Sequence, residues 1–289
     1  MTFLVHIGGL TFDASPSAGG SALICSRLDG WYPGAPIRGK TDDQPVGDGA
    51  FGSVKNYRSA RPLTFTGWMI ASSSIAAFEA LSDQFAALQA DGTPIILSVE
   101  NDAGIRSLTV SIDGVPDIQP VATLAAASVT VSFVAYDPVK YGASSAAFTG
   151  LPTSGGGLEY PLGGGGGLGQ LFYGANGQLG RVTLVNNGTA AVFPTFSVTG
   201  QLDAGFYLQC LELGNVIRYD RVVPLGSTIG LDSRTESVTV DGVQGGSTYL
   251  TRFEWFSVPA KSSLTVQLNS LSTFAGAPQL TVTNVDGFL

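Results

Sequence analysis

Only one stretch of this chain repeats its apolar residues at helical spacing. From Ser72 to Ala90, the residues Ile75, Phe78, Leu81, Phe85 and Leu88 follow one another at steps of three, three, four and three. That pattern predicts one amphipathic helix over about 72–90, with its apolar stripe laid on a sheet. Ser72 to Ser74 offer N-cap oxygens, and Asp91-Gly92 with Pro94 end the helix. Elsewhere the apolar residues alternate in runs of six to ten, or the chain breaks at glycine and proline. The fold is therefore mainly β.

The runs fall into two sets. The first set is 2–7, 22–28, 61–70, 95–100, 105–112 and 128–135, with a hairpin tip at Asn101 to Gly104. In the last run Val129, Val131, Phe133 and Ala135 face one side, and only Val134 breaks the polar alternation on the other. The second set recurs with turn signals between its runs, at steps of nine to thirteen residues and one longer step before the last: 181–186, 193–199, 205–213, 216–223, 227–232, 236–241, 249–256, 262–269 and 279–284. Such spacing marks a β-sandwich or jelly roll. Between the sets the composition shifts to glycine and serine, with five consecutive glycines at Gly163 to Gly167 read as a loop leading into the second domain. This predicts two β-sandwich or barrel-like domains, 1–147 and 148–289. Residues 29–60 stand apart: rich in Pro, Gly and Asp, they carry Trp31, Tyr32, Arg38, Lys40, Lys55, Tyr57 and Arg58. A loop of that length inside a compact domain is uncommon and tends to be functional. We expect an arm that orders against a neighbouring subunit.

Charge narrows the function classes. Fourteen Lys and Arg against twenty-two Asp and Glu leave a net charge of −8, the wrong sign for a chain that grips nucleic acid. Charged residues make up 12% of the chain, about half the usual ~25%. The mean hydropathy is positive, yet no apolar run approaches the ~18 residues of a membrane helix. Low charge without a membrane span implies surface hidden against other subunits. The N-terminal residues lack a basic region followed by an apolar core, so no signal peptide is expected and folding in a reducing cytoplasm is. Cys25 and Cys210, each in an apolar stretch, read as buried free thiols.

Catalytic motifs are sparse. His6 is the single histidine and reads as a strand residue; a histidine-dependent nucleophile or a zinc site has nothing else to use. The glycines at 163–167 lack the Gly-Lys-Ser/Thr of a phosphate loop. Asp42, Asp43, Asp48, Asp203, Glu212 and Glu254 are candidates for a glycosidase pair only in being acidic. Asn101 to Gly104 is too short for a calcium loop. Asn187-Gly188-Thr189 fits a glycosylation acceptor that a chain without a signal peptide would not use. No catalytic residue, metal ligand or cofactor is assigned. In the run 249–256, Tyr249, Phe253 and Trp255 share one strand parity, which reads as sandwich core or as a glycan platform at Tyr249 and Trp255.

The order of motifs resembles one known family. Trp31-Tyr32-Pro33-Gly34-Ala35-Pro36-Ile37-Arg38-Gly39, Gln44-Pro45-Val46-Gly47-Asp48-Gly49-Ala50-Phe51 and Arg61-Pro62-Leu63-Thr64-Phe65-Thr66-Gly67, with Phe133 to Pro138 and Tyr141, are similar to the N-terminal domain of siphophage distal tail proteins. Gly150-Leu151-Pro152, Asn187-Gly188-Thr189-Ala190, Pro194-Thr195-Phe196 and Gly200 resemble that family's C-terminal sandwich. Gln44 departs from the pattern, where an arginine precedes the proline. The resemblance implies a homohexameric ring in the virion tail tip, with galectin-like C-terminal domains. Such a ring joins the tail tube protein to the tail-associated hub and minor tail proteins and lets DNA pass. The expected inter-subunit arm is assigned to Trp31, Tyr32, Arg38, Tyr57 and Arg61. Two other readings stand beside it: a carbohydrate-binding module for host attachment, and a cell-wall glycosidase.

Overall fold

The computed structural model describes residues 3–14, 22–39, 42–52, 56–71, 74–121, 124–157, 176–274 and 276–289. The glycine run at 163–167, Lys40, Lys55, Ser72 and Ser73 lie outside the described residues. The chain forms two compact units, Met1–Ala143 with Phe288–Leu289, and Ser144–Gly287. Both are built from strands, with one α-helix among the described residues.

In unit 1 the strands are β1 (Phe3–Ile7), β2 (Leu10–Asp13), β3 (Ala22–Asp29), four two-residue strands β4 (Ile37–Arg38), β5 (Asp42–Asp43), β6 (Ala50–Phe51) and β7 (Tyr57–Arg58), then β8 (Arg61–Ile70), β9 (Ile95–Asn101), β10 (Gly104–Ile112), β11 (Asp117–Pro120) and β12 (Ala126–Ala135). The order β12-β8-β3-β2-β1-β9-β10 closes on itself, because β10 pairs back with β12 at Ser111–Val134 and Ile112–Phe133. Closure into a barrel removes sheet edges, and alternation decides what fills it. Val5, Ile7, Leu63, Phe65, Leu97, Val99, Val129, Val131 and Phe133 are buried, while their strand neighbours face out.

The helix α1 (Ile75–Ala86) is shorter than its apolar period suggested. Ser74 caps it, its Oγ accepting from the Ala77 N–H at 3.1 Å. Phe85 is buried and stands 6.2 Å, ring to ring, from Phe12, which in turn lies 4.6 Å from Phe65. Ile75 does not join the stripe and is exposed. At about 100° per residue it sits roughly a quarter-turn from the mean direction of the other four apolar positions. The chain leaves the helix at Ala87 and turns at Gln89, whose φ is 60°.

The strand β13 (Lys140–Gly150) runs from unit 1 into unit 2. None of the expected runs covers it, because Gly142 to Ala147 offer no apolar alternation. Unit 2 holds β14 (Arg181–Asn186), β15 (Thr195–Thr199), β16 (Phe206–Cys210), β17 (Val216–Tyr219), β18 (Thr228–Asp232), β19 (Ser237–Val240), β20 (Val243–Gln244), β21 (Leu250–Phe253), β22 (Ser262–Ser270) and β23 (Gln279–Phe288). One antiparallel sheet runs β23-β15-β18-β19-β20 and the other β14-β22-β16-β17-β21. Each has one apolar face, carried by Phe196, Val198, Ile229, Leu231, Leu280 and Val282 in the first and by Val182, Leu184, Phe206, Leu208, Val266 and Leu268 in the second. Two one-sided sheets bury those faces as a sandwich. The mainly β reading with a sandwich in the second half is what the structure shows.

Candidate functional site

The described residues within 32–60 form two short antiparallel ladders. Ile37–Arg38 pairs with Tyr57–Arg58, and Asp42–Asp43 with Ala50–Phe51. The tip is closed by the Gln44 N–H donating to the Gly49 carbonyl at 3.0 Å. Two-residue ladders explain why sequence reading saw only a loop: no run is long enough to show a period. Tyr32 (67% exposed), Phe51 (62%) and Tyr57 (57%) stand in solvent, with Ile37, Val46 and Arg38 also exposed. A two-stranded hairpin with no core of its own is marginal in water.

Its root is held differently. Arg61, 1% exposed, donates from Nη1 to the carbonyls of Gly30 (2.9 Å), Trp31 (3.2 Å) and Pro33 (2.6 Å), and from Nε to Pro138 (3.1 Å). Lys140, 3% exposed, donates from Nζ to the same Trp31 carbonyl at 2.8 Å, and lies 5.4 Å from the Trp31 ring centre. Burial, then the charges of Arg61 and Arg106, pull the Lys140 ammonium down to about 8. Burial, then Arg58, lowers the Arg61 guanidinium as well. Two buried cations thus fasten one turn through its carbonyl oxygens. Gly30 completes the turn with φ 81°, where a Cβ would stand 2.2 Å from the Pro62 oxygen. Trp31 and Arg61 therefore lie inside unit 1 as the arm's root, and Tyr32, Arg38 and Tyr57 lie on the arm itself. Lys140 went unnoticed in the sequence. Its signal was a lone lysine three residues after Asp137 in the motif that ends the domain.

Unit 2 has a comparable knot made of neutral groups. Asn186, fully buried, donates from Nδ2 to the carbonyls of Ala190 (2.8 Å), Val258 (3.1 Å) and Pro259 (3.1 Å). Its Oδ1 accepts from the N–H groups of Gly188 (3.0 Å) and Gly287 (3.3 Å). Gly188 runs so close to Gly287 that a Cβ would fall 1.8 Å from its carbonyl oxygen. The motif at 187–190 is thus a fastening turn. Asn186 shares strand parity with the buried Val182 and Leu184, a sequence signal that could have pointed to it.

The aromatic run at 249–256 does not form one face. Tyr249 ends a 3₁₀ turn (Gly246–Tyr249), the strand covers only Leu250–Phe253, and Trp255 lies beyond it. Gly245, with φ 143°, starts that turn and breaks the alternation. Tyr249 packs on Tyr219 at 6.0 Å and under Arg221 at 4.2 Å, and Trp255 is half-buried.

The acidic residues are brackets. Glu212 accepts from the Thr265 N–H at 2.7 Å, Asp203 from the Thr273 hydroxyl at 2.9 Å, and Glu254 from the Val216 N–H at 2.9 Å and from Arg252. Bonds from Arg252 and Val216 hold Glu254 below the usual carboxylate range, and Thr251 with Arg218 does the same for Asp220. A glycosidase acid needs a shift upward. His6 lies 2.9 Å from the Thr11 hydroxyl and 3.5 Å from Glu100. Cys25 and Cys210 are buried free thiols, and burial pushes Cys25 up to about 11. Among the described residues no group of three His, Cys, Asp or Glu is placed to hold a metal, and no helix is long and apolar enough to cross a membrane.

No family model and no curated protein matches the sequence. Solved structures match over the full length. The SPP1 Dit protein, described as a paradigm of the hub adsorption apparatus of phages infecting Gram-positive bacteria, superposes with a TM-score of 0.65 at 12% identity, over 99% of each chain. A chain of the phage P2 baseplate in its activated conformation, with calcium or with strontium, gives 0.55 at 10% identity, over 98% of this chain and 97% of that one. The chain shares their fold.

Proposed function

We propose that this chain is a structural component of a bacteriophage tail tip. In this reading it forms a homohexameric ring that joins the tail tube to the hub proteins and leaves a channel for DNA. The observation that carries the reading is the match of all but 1% of each chain to SPP1 Dit, a hub adsorption protein. The arm supports it from within: exposed Tyr32, Ile37, Phe51 and Tyr57 on a two-stranded hairpin need a covering surface, and a neighbouring subunit supplies one. Arg61 and Lys140 set the direction in which the arm leaves. Six copies at −8 sum to −48, which keeps passing DNA from sticking to the ring. Buried free thiols suit a chain folded in the host cytoplasm. No role in the ring calls for a catalytic residue.

Negative-stain images of the purified full chain test the reading. We expect annular particles with a central hole. Compact particles the size of one chain at every concentration, with tail tube and hub proteins added or not, would overturn it.

A further inference from the structure

The face of β14-β22-β16-β17-β21 turned away from the sandwich core is an ordered polar array. Tyr207 lies opposite Arg218 on one side and Asn269 on the other, and Arg218 lies opposite Arg252. These four side chains form one row across four strands, about 14 Å long at ~4.8 Å per strand. Two residues along, Gln209, Gln267 and Arg181 form a second row. Tyr207, Gln209, Gln267 and Asn269 are half-buried although they point away from the core. A cleft of about 190 Å³ opens between Tyr207, Gln209, Val216, Arg218 and Arg252.

Two of the three guanidiniums in these rows are matched by carboxylates in place. Arg218 Nε is 2.7 Å from Asp220, and Arg252 Nε is 2.8 Å from Glu254. The amides form a relay: Arg181 Nε donates to Gln267 Oε1 (2.9 Å), whose Nε2 donates to Asn269 Oδ1 (2.9 Å). The Asn269 Nδ2 at its end has no partner among the described residues. A polyanion would meet Arg218 and Arg252 already matched by carboxylates, and Arg181 already turned to Gln267. Planar amides and guanidiniums in rows suit pairs of vicinal hydroxyls, which they can bind in two-point fashion, and the Tyr207 ring offers a surface for sugar C–H groups.

We propose that this face binds a neutral oligosaccharide. The site is separate from Tyr249 and Trp255 and does not depend on ring formation. The test is the labelled full chain on an array of neutral and acidic oligosaccharides, with hits titrated by calorimetry. Binding to neutral glycans is expected, weakened about tenfold or more in Tyr207→Ala and in Gln209→Ala, with melting temperatures kept within a few degrees. Ser197→Ala, on the other sheet, should bind as the parent does. Absence of any neutral hit overturns the proposal. So does binding confined to acidic glycans, or binding that both face variants retain while folded. Should the face variants unfold, Gln209→Glu repeats the comparison, and unchanged affinity there also overturns it.

Discussion

The two units handle buried polarity in different ways. In unit 2 the fully buried Asn186 is a neutral amide, and its five bonds join turns and strand ends of the sandwich to each other. Unit 1 buries two cations, Arg61 and Lys140, and points both at the turn from which the arm departs. The barrel itself closes by strand pairing without them. Burying charge is costly unless strong hydrogen bonds compensate. In unit 1 that cost falls where a surface segment must be aimed, and in unit 2 where the fold must be closed. In the proposed function, unit 1 would carry assembly through its arm, while the Asn186 bonds of unit 2 stay within that unit.

The contrast can be broken at its strongest point first. Gly188→Ala forces a Cβ onto the Gly287 carbonyl and should cost unit 2 about 4 kcal/mol or more, read as a collapse of its calorimetric transition. A variant that melts like the parent would mean the turn is not a fastening. Arg61→Ala takes this donor from the Gly30, Pro33 and Pro138 carbonyls and leaves Trp31 to Lys140 alone; it should destabilise unit 1 by roughly 2–4 kcal/mol, with faster proteolysis inside 34–58. Faster cutting elsewhere in unit 1, with the arm unaffected, would detach Arg61 from the arm.

Lys140 gives a pH test. Its folded value of about 8 lies below the 10.5 of the free side chain, so between those values the unfolded chain binds the extra proton. Stability should therefore climb as pH rises from 8 to 10.5, by roughly 1–3 kcal/mol more in the parent than in Lys140→Met. Equal slopes in the two proteins would contradict the burial cost assigned to this ammonium. The smallest effect on stability belongs to the arm surface. Tyr32→Ser with Tyr57→Ser should shift unit 1 by no more than ~0.5 kcal/mol while removing self-association.

Much of the fold was legible because alternation is a local signal. Val129 to Ala135 and Arg181 to Asn186 announced their buried faces in sequence. The arm hairpin was not legible, since two-residue ladders carry no period. Lys140–Gly150 was missed because its small residues alternate without contrast. The Arg61 and Lys140 clamp was invisible for another reason: its acceptors are backbone carbonyls, which every sequence has. Placing Tyr249, Phe253 and Trp255 on one face failed because it assumed an unbroken strand, and the turn at Gly245 to Tyr249 interrupts it.

The central claim is that the arm of unit 1 joins copies of this chain. Mass photometry of the full chain across a concentration series, beside the Tyr32→Ser, Tyr57→Ser double variant, tests it most directly. Six copies of 29.7 kDa predict a species near 178 kDa that the double variant loses while its melting temperature holds. A species of the same mass in both proteins, or a single chain of about 30 kDa in the parent at every concentration, would contradict the account.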